Sequence, residues 1–289
     1  MATASKPRTS ARPGLAPTVV FPLLTAVVLG GCGTDSADPT PDNAAEAAGP
    51  NVLHGPEVAL GNGTARTYVV LEGSTPIEVG VTMSEEVLAG LPPDGAPGGM
   101  MMPDGHSTFE NVLDMPANNP TPFRHVTLDW NPAGHEPPGV YDRPHFDIHF
   151  FTISNDDRLT INPGHPEFGA RAARMPPAEQ IPAGYIDPQI GPVPLMGVHW
   201  VDPTSPELAP ENPATFTRTL IYGSWDGKMI FIEPMVSVEF LMTRPDERLP
   251  LPVATRYDPA GYYPESYVIQ WNEAAREYRI ALADLRMRQ

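Results

Sequence analysis

The 289-residue sequence has one cysteine, Cys32, which excludes an internal disulfide and every metal or iron–sulfur site built from several thiolates. Positive charge is scarce: 18 Lys and Arg stand against 35 Asp and Glu, a formal net charge of -17. That balance argues against nucleic acid or an anionic membrane surface as a partner recruited by charge. Several signatures of chemistry are missing. There is no Gly-x-Ser-x-Gly elbow, no glycine-rich phosphate loop between a strand and a helix, and no His-Glu-x-x-His or His-x-His-x-Asp-His string. Asn155-Asp156-Asp157 lacks the glycine and distal glutamate of a calcium loop. No repeat recurs at a fixed period.

Proline is what the chain has in excess: 38 residues, more than twice the usual share of about 5%, together with 25 glycines. Long helices are therefore not expected. From Glu57 onward, short period-two segments recur between turn signals. They are Tyr68–Leu71, Ile77–Val81, Phe123–Trp130, His145–Ile153, Thr215–Tyr222, Lys228–Glu233, Val253–Tyr257, Tyr267–Trp271 and Glu277–Ala281. This spacing predicts a mainly β, antiparallel sandwich or barrel-like domain with long Pro-rich loops and few short helices. Asp226-Gly227 marks the clearest hairpin, and the helix candidates are Ser84–Leu91 and a turn after Ser154. Residues 92–122 and 163–213 read as long loops, and a break near Pro245–Pro252 is conceivable.

Residues 1–31 carry Lys6, Arg8 and Arg12, no acid, and an apolar run from about Val19 to Leu29 that is too short for a stable membrane span. Leu29-Gly30-Gly31-Cys32 resembles the lipobox of bacterial lipoproteins. The resemblance implies a cleaved signal peptide over 1–31, acylation of Cys32, and export with anchorage to the cell membrane or outer membrane through lipid. Residues 32–50 are small, acidic and Pro-containing and read as a flexible linker to a single β-rich body over 51–289.

Chemistry concentrates in Pro144-His145-Phe146-Asp147-Ile148-His149-Phe150-Phe151. On a strand, His145, Asp147 and His149 share one face and Phe146, Ile148 and Phe150 the other. At about 3.3 Å per residue, His145 and His149 start about 13 Å apart, so further ligands must come from other strands. His199 and Glu233 are the other His and Glu inside apolar segments. His145, His149, His199 and Glu233 form a candidate ligand set for a divalent transition metal such as Zn, Mn or Fe, with Asp147 and Asp202 supporting them. Were the ion catalytic, Glu233 or Asp147 would accept the proton. Two other readings stand beside this one: a metal-free polar cluster lining a pocket, and purely structural polar groups.

The strings His145–Phe151, Met196–Leu208, Tyr222–Met235 and Gly261–Pro264 resemble a family of exported bacterial proteins with an uncharacterised, TTHB-like domain. The resemblance implies export and a shared fold over about residue 65 to the C-terminus and brings no reaction with it. A non-catalytic envelope component that assembles with itself or with a partner through its Pro-rich loops is therefore the alternative function.

Overall fold

A computed structural model describes residues 51–102 and 104–289. Residues 1–50, where the signal peptide, acylated Cys32 and linker are expected, lie outside the described residues. Strands β1 (Asn51–His54), β2 (Val58–Leu60), β3 (Gly63–Glu72) and β4 (Thr75–Ser84) come first among the described residues. Then come β5 (Met100–Met101), β6 (Ser107–Asp114), β7 (His125–Asn131), β8 (His145–Phe151) and β9 (Val198–Trp200). The last are β10 (Arg218–Trp225), β11 (Lys228–Ser237), β12 (Asp246–Pro250), β13 (Gly261–Tyr263), β14 (Ser266–Asn272), β15 (Glu277–Ala283) and β16 (Arg286–Arg288). The helices are single turns: α1 (Asn155–Leu159), α2 (Phe168–Ala172) and α3 (Val238–Met242). Among the described residues, no helix is long and apolar enough to cross a membrane.

All pairings within the two main sheets are antiparallel. One sheet runs β1-β3-β4-β15-β14-β12 with β2 on β3; the other runs β5-β6-β7-β8-β11-β10-β9, and β13 pairs with β16 apart from both. Period-two alternation explains how the sheets meet. Val69, Val79, Val81, Ile269, Ile280 and Leu282 from the first share one buried cluster with Val126, Leu128, Phe146, Ile148, Phe150 and Ile232 from the second. Burial of such a face is the main favourable term in the fold.

The mainly β architecture agrees with the alternation in the sequence, and so does the hairpin. Asp226 and Gly227 connect β10 to β11 with φ of 52° and 81°, the two left-handed residues of a tight turn whose twist matches the strands. Ser154 caps α1 by accepting a hydrogen bond from Asp157 N–H. Four expectations differ. Ser84–Leu91 is only a 3-10 turn over Glu85–Leu88, stopped by Gly90 at φ 77° and the prolines that follow. Val253–Tyr257 makes no strand, because its amides go elsewhere: Arg256 N–H to Glu179 O and Tyr257 N–H to Gln289 O. The stretch read as one long loop over 92–122 contains β5 and β6, and β12 occupies the conceivable break near 245–252.

Candidate metal centre

Strands β7 and β8 are buried at every residue, on both faces. Their second face is polar. Alternation sends His125, Thr127, Asp129 and Asn131 of β7 to it, beside His145, Asp147 and His149 of β8. Register then aligns Asn131 with His145, Asp129 with Asp147, and Thr127 with His149. On the other flank, β11 sets Met235 opposite Asp147, which puts Glu233 level with His149. His199 on β9 lies opposite Gly223 of β10. A Cβ at Gly223 would sit 1.9 Å from the Phe231 ring, so glycine there makes the slot that the ring fills. The ring in turn packs edge-on against both His149 and His199.

Two groups of three ligand-capable side chains result: His149, His199 and Glu233, and His135, His145 and Asp147, each with its ligand atoms within 4.8 Å of one another. In the first, Glu233 Oε1 is 3.4 Å from His149 Nε2 and Glu233 Oε2 is 3.8 Å from His199 Nε2. In the second, the Asp147 oxygens are 3.2 Å from His135 Nε2 and 3.1 Å from His145 Nε2. Two ligand atoms about 2.0 Å from one tetrahedral ion lie about 3.3 Å apart, which is the range seen here. Distances of 3.4 and 3.8 Å are long for hydrogen bonds. His145 Nε2, Asp147 Oδ1, His149 Nε2 and Glu233 Oε2 are buried and have no hydrogen-bond partner.

The far side of three of the four rings is held, while His199 Nδ1 is buried without a hydrogen-bond partner. His149 Nδ1 lies 3.2 Å from Asp129 Oδ2 and 3.2 Å from Thr127 Oγ1. His145 Nδ1 meets Arg143 O at 2.7 Å and His135 Nδ1 meets Glu136 O at 2.8 Å. Asn131 donates to Asp147 Oδ2 at 2.7 Å and itself accepts from Thr108 Oγ1 at 2.6 Å. A carboxylate or carbonyl behind the imidazoles of His149, His145 and His135 orients each ring and turns its Nε2 inward, as outer partners of metal-bound histidines do.

Electrostatics are correspondingly strained. Burial opposes charge on His149, but Glu233 and Asp129 outweigh it and raise its pKa to about 9. Burial likewise opposes charge on His135, and Asp147 overcomes it, again giving about 9. Burial pushes Glu233 up to about 8 despite His149 beside it. Asp147 resists burial because His145 and His135 hold its carboxyl well below the ordinary range. His199 goes down to about 3, through burial and the neighbouring His149. Shifts in both directions within one pocket mark a functional-site candidate.

The pocket is a cavity of about 260 Å³. Asp147, His199 and Glu233 reach it from the sheet and His135 from the loop after β7, while Ile190, Val193 and Met196 form an apolar wall. That wall belongs to a Pro-rich segment whose backbone is tied down. Ile186 pairs with Val201, Val193 with Gly197, and Leu195 N–H donates to Ile161 O at 2.8 Å.

Of the residues singled out from sequence, His149, His199 and Glu233 come together. His145 does not join them; it faces Asp147 and His135, because residues four apart on an extended strand are too far apart to share one centre. Asp147 is accordingly a ligand-capable carboxylate in its own group rather than a support for the other. Asp202 supports neither group: its Oδ1 accepts from Thr204 N–H and Oγ1 at 2.8 and 2.7 Å in a local turn. Sequence reasoning missed His135, Asp129, Asn131 and Thr127. The β7 residues carry the same polar–apolar alternation as β8 and were findable; His135 sits in a Pro/Gly loop without periodicity.

A family model described as TTHB210-like, hypothetical protein TTHB210, matches residues 75–130, from β4 to within β7. The four strings that carry the resemblance lie outside that match. No curated protein and no solved structure matches the chain.

Proposed function

We propose that this is an exported, lipid-anchored bacterial envelope protein whose β-rich domain binds a divalent transition metal through His149, His199 and Glu233. The observation that carries the metal reading is the His149 ring, held by Asp129 from behind while its unpartnered Nε2 faces Glu233. Two histidines and one carboxylate leave positions open, the arrangement of catalytic rather than structural metal sites. His199 and Glu233 line the cavity, and an ion held there would supply Lewis-acid polarisation of a substrate oxygen. Export and anchorage rest on the basic start, the short apolar run and Leu29-Gly30-Gly31-Cys32. Two acyl chains give stable membrane residence, and the acidic body is held away from anionic headgroups.

Stripping the purified protein with chelator and titrating it with Co²⁺ tests the site. Tight uptake that is lost in His199→Gln is expected; less than about a tenth of an equivalent bound, with no rise in melting temperature, overturns it. Labelled fatty acid incorporated by wild type and absent from Cys32→Ser is expected for the anchor, and labelling of the mutant refutes it.

A further inference from the structure

The proposed ion uses one of two convergent groups in the pocket, and the other is too ordered to be incidental. We infer that His135, His145 and Asp147 hold a second divalent cation, making the cavity a two-metal centre; only the word "second" rests on the function proposed above. Three observations point there.

The first is tautomeric. Nδ1 of His145 donates to Arg143 O and Nδ1 of His135 to Glu136 O. Both rings therefore turn Nε2 toward the same Asp147 carboxylate: His135 Nε2 makes a 3.2 Å hydrogen bond to Oδ2, whereas His145 Nε2 and Oδ1 are buried, 3.1 Å apart and unpartnered. With Nδ1 as its donor, His145 sets a lone pair against that oxygen, so something positive belongs between them.

Direction is the second. An extra proton on His145 would also reverse the repulsion, but His145 Nε2 and Asp147 Oδ1 stand 3.1 Å apart without forming a hydrogen bond. A proton on that nitrogen would not point at that oxygen. An ion beside both atoms needs no such alignment, since adjacent ligands of one ion are not aimed at each other. The His135 and His145 rings also meet edge to face with centroids 4.8 Å apart, where two imidazolium ions would repel and two ligands of one cation would not.

The third is the layer behind the ligands. Thr108 donates to Asn131, and Asn131 donates to Asp147, so the carboxylate is positioned by two strands of the sheet. All members of that relay are buried. Oriented second-layer partners of this kind are what a metal site requires and a chance cluster lacks. The ligand set again comprises two histidines and a carboxylate, matching the first group, and His135 and Asp147 line the same cavity as His199 and Glu233.

Crystals of the chelator-stripped protein grown with excess Co²⁺ and measured at the cobalt edge locate the ions without any variant. Two anomalous peaks are expected, one within each group of three. In solution, wild type should then bind two equivalents and His135→Gln one. His135 is a loop residue with a partly exposed side chain, and its circular dichroism and melting curve show whether the variant folds. A single peak at His149, His199 and Glu233, with stoichiometry unchanged by His135→Gln, overturns the second site and leaves the first. A single peak at His135, His145 and Asp147, lost in His135→Gln and kept in His199→Gln, upholds this inference and overturns the first site. No peak in either place overturns both.

Discussion

On one side of β8, Phe146, Ile148 and Phe150 have no exposure and pack into the core shared by the two sheets. On the other, His145, Asp147 and His149 are just as dry, at 0%, 4% and 0%. Equal burial here hides opposite contributions. The apolar face gains about 1.5–3 kcal/mol for each large side chain buried. The polar face sets against this about 1–3 kcal/mol for each buried group left without a partner. Three such atoms, His145 Nε2, Asp147 Oδ1 and His149 Nε2, stay unpartnered on it. One face of the strand therefore holds the fold together, and the other opposes it.

Substitutions can break that contrast. Phe150→Ala should be the largest, about 3–5 kcal/mol in urea denaturation, and a loss below about 1 kcal/mol would mean the core does not rest on this face. Glu110→Ala comes next. It removes the bidentate partner of Arg158, at 2.7 and 2.8 Å, and leaves a guanidinium at 1% exposure unpaired, for a loss of about 3 kcal/mol.

Asp129→Asn sharpens the comparison from the other side. It should weaken Co²⁺ binding by about 10–100-fold, because the ring of His149 loses its carboxylate, while the melting temperature of the metal-free protein changes little. Unchanged affinity would deny Asp129 its positioning part.

The pH dependence follows from groups that face one another across β7, β8, β9 and β11: Asp129, Asp147, His149, His199 and Glu233. Glu233 near 8 and His149 near 9 hold protons more tightly folded than unfolded. Their contribution to stability is complete below the unfolded values and is lost as pH rises through about 8 and about 9. His199 works in reverse: its contribution is present above the unfolded value and lost as pH falls toward about 3. Thermal melts of the metal-free protein should therefore peak in mildly acidic buffer. Added metal should raise the melting temperature more as pH increases, since binding needs the ligand protons removed. Asp202→Ala is the smallest change, under about 1 kcal/mol with metal uptake intact. Loss of uptake would return Asp202 to the site.

The fold was legible because period-two alternation is a local signal, and Phe146, Ile148 and Phe150 announce a buried face without reference to anything else. Half of the site was legible for the same reason: His149, His199 and Glu233 interrupt apolar strands. Grouping was not. Nothing near His145 in the chain indicates that its partner is His135, ten residues back in a loop whose path is set by Pro132, Gly134 and Pro137. Asp202 misled because an acid next to an apolar strand looks like a ligand until Thr204 is seen to use its oxygen. β12, with the sequence DERLP, was concealed by its charge, which suits an edge strand paired only with β14.

The tethering of the Pro-rich segment that walls the cavity has a consequence for selectivity. Prolines at 188, 192 and 194 and fixed amide pairings set the shape of that wall before any guest arrives. Little freedom is left to surrender on association, so affinity is not drained by ordering. The same rigidity would narrow tolerance: a guest whose shape did not match the wall would be turned away rather than accommodated. Discrimination by shape would then come from the backbone, separately from any chemistry of the imidazoles.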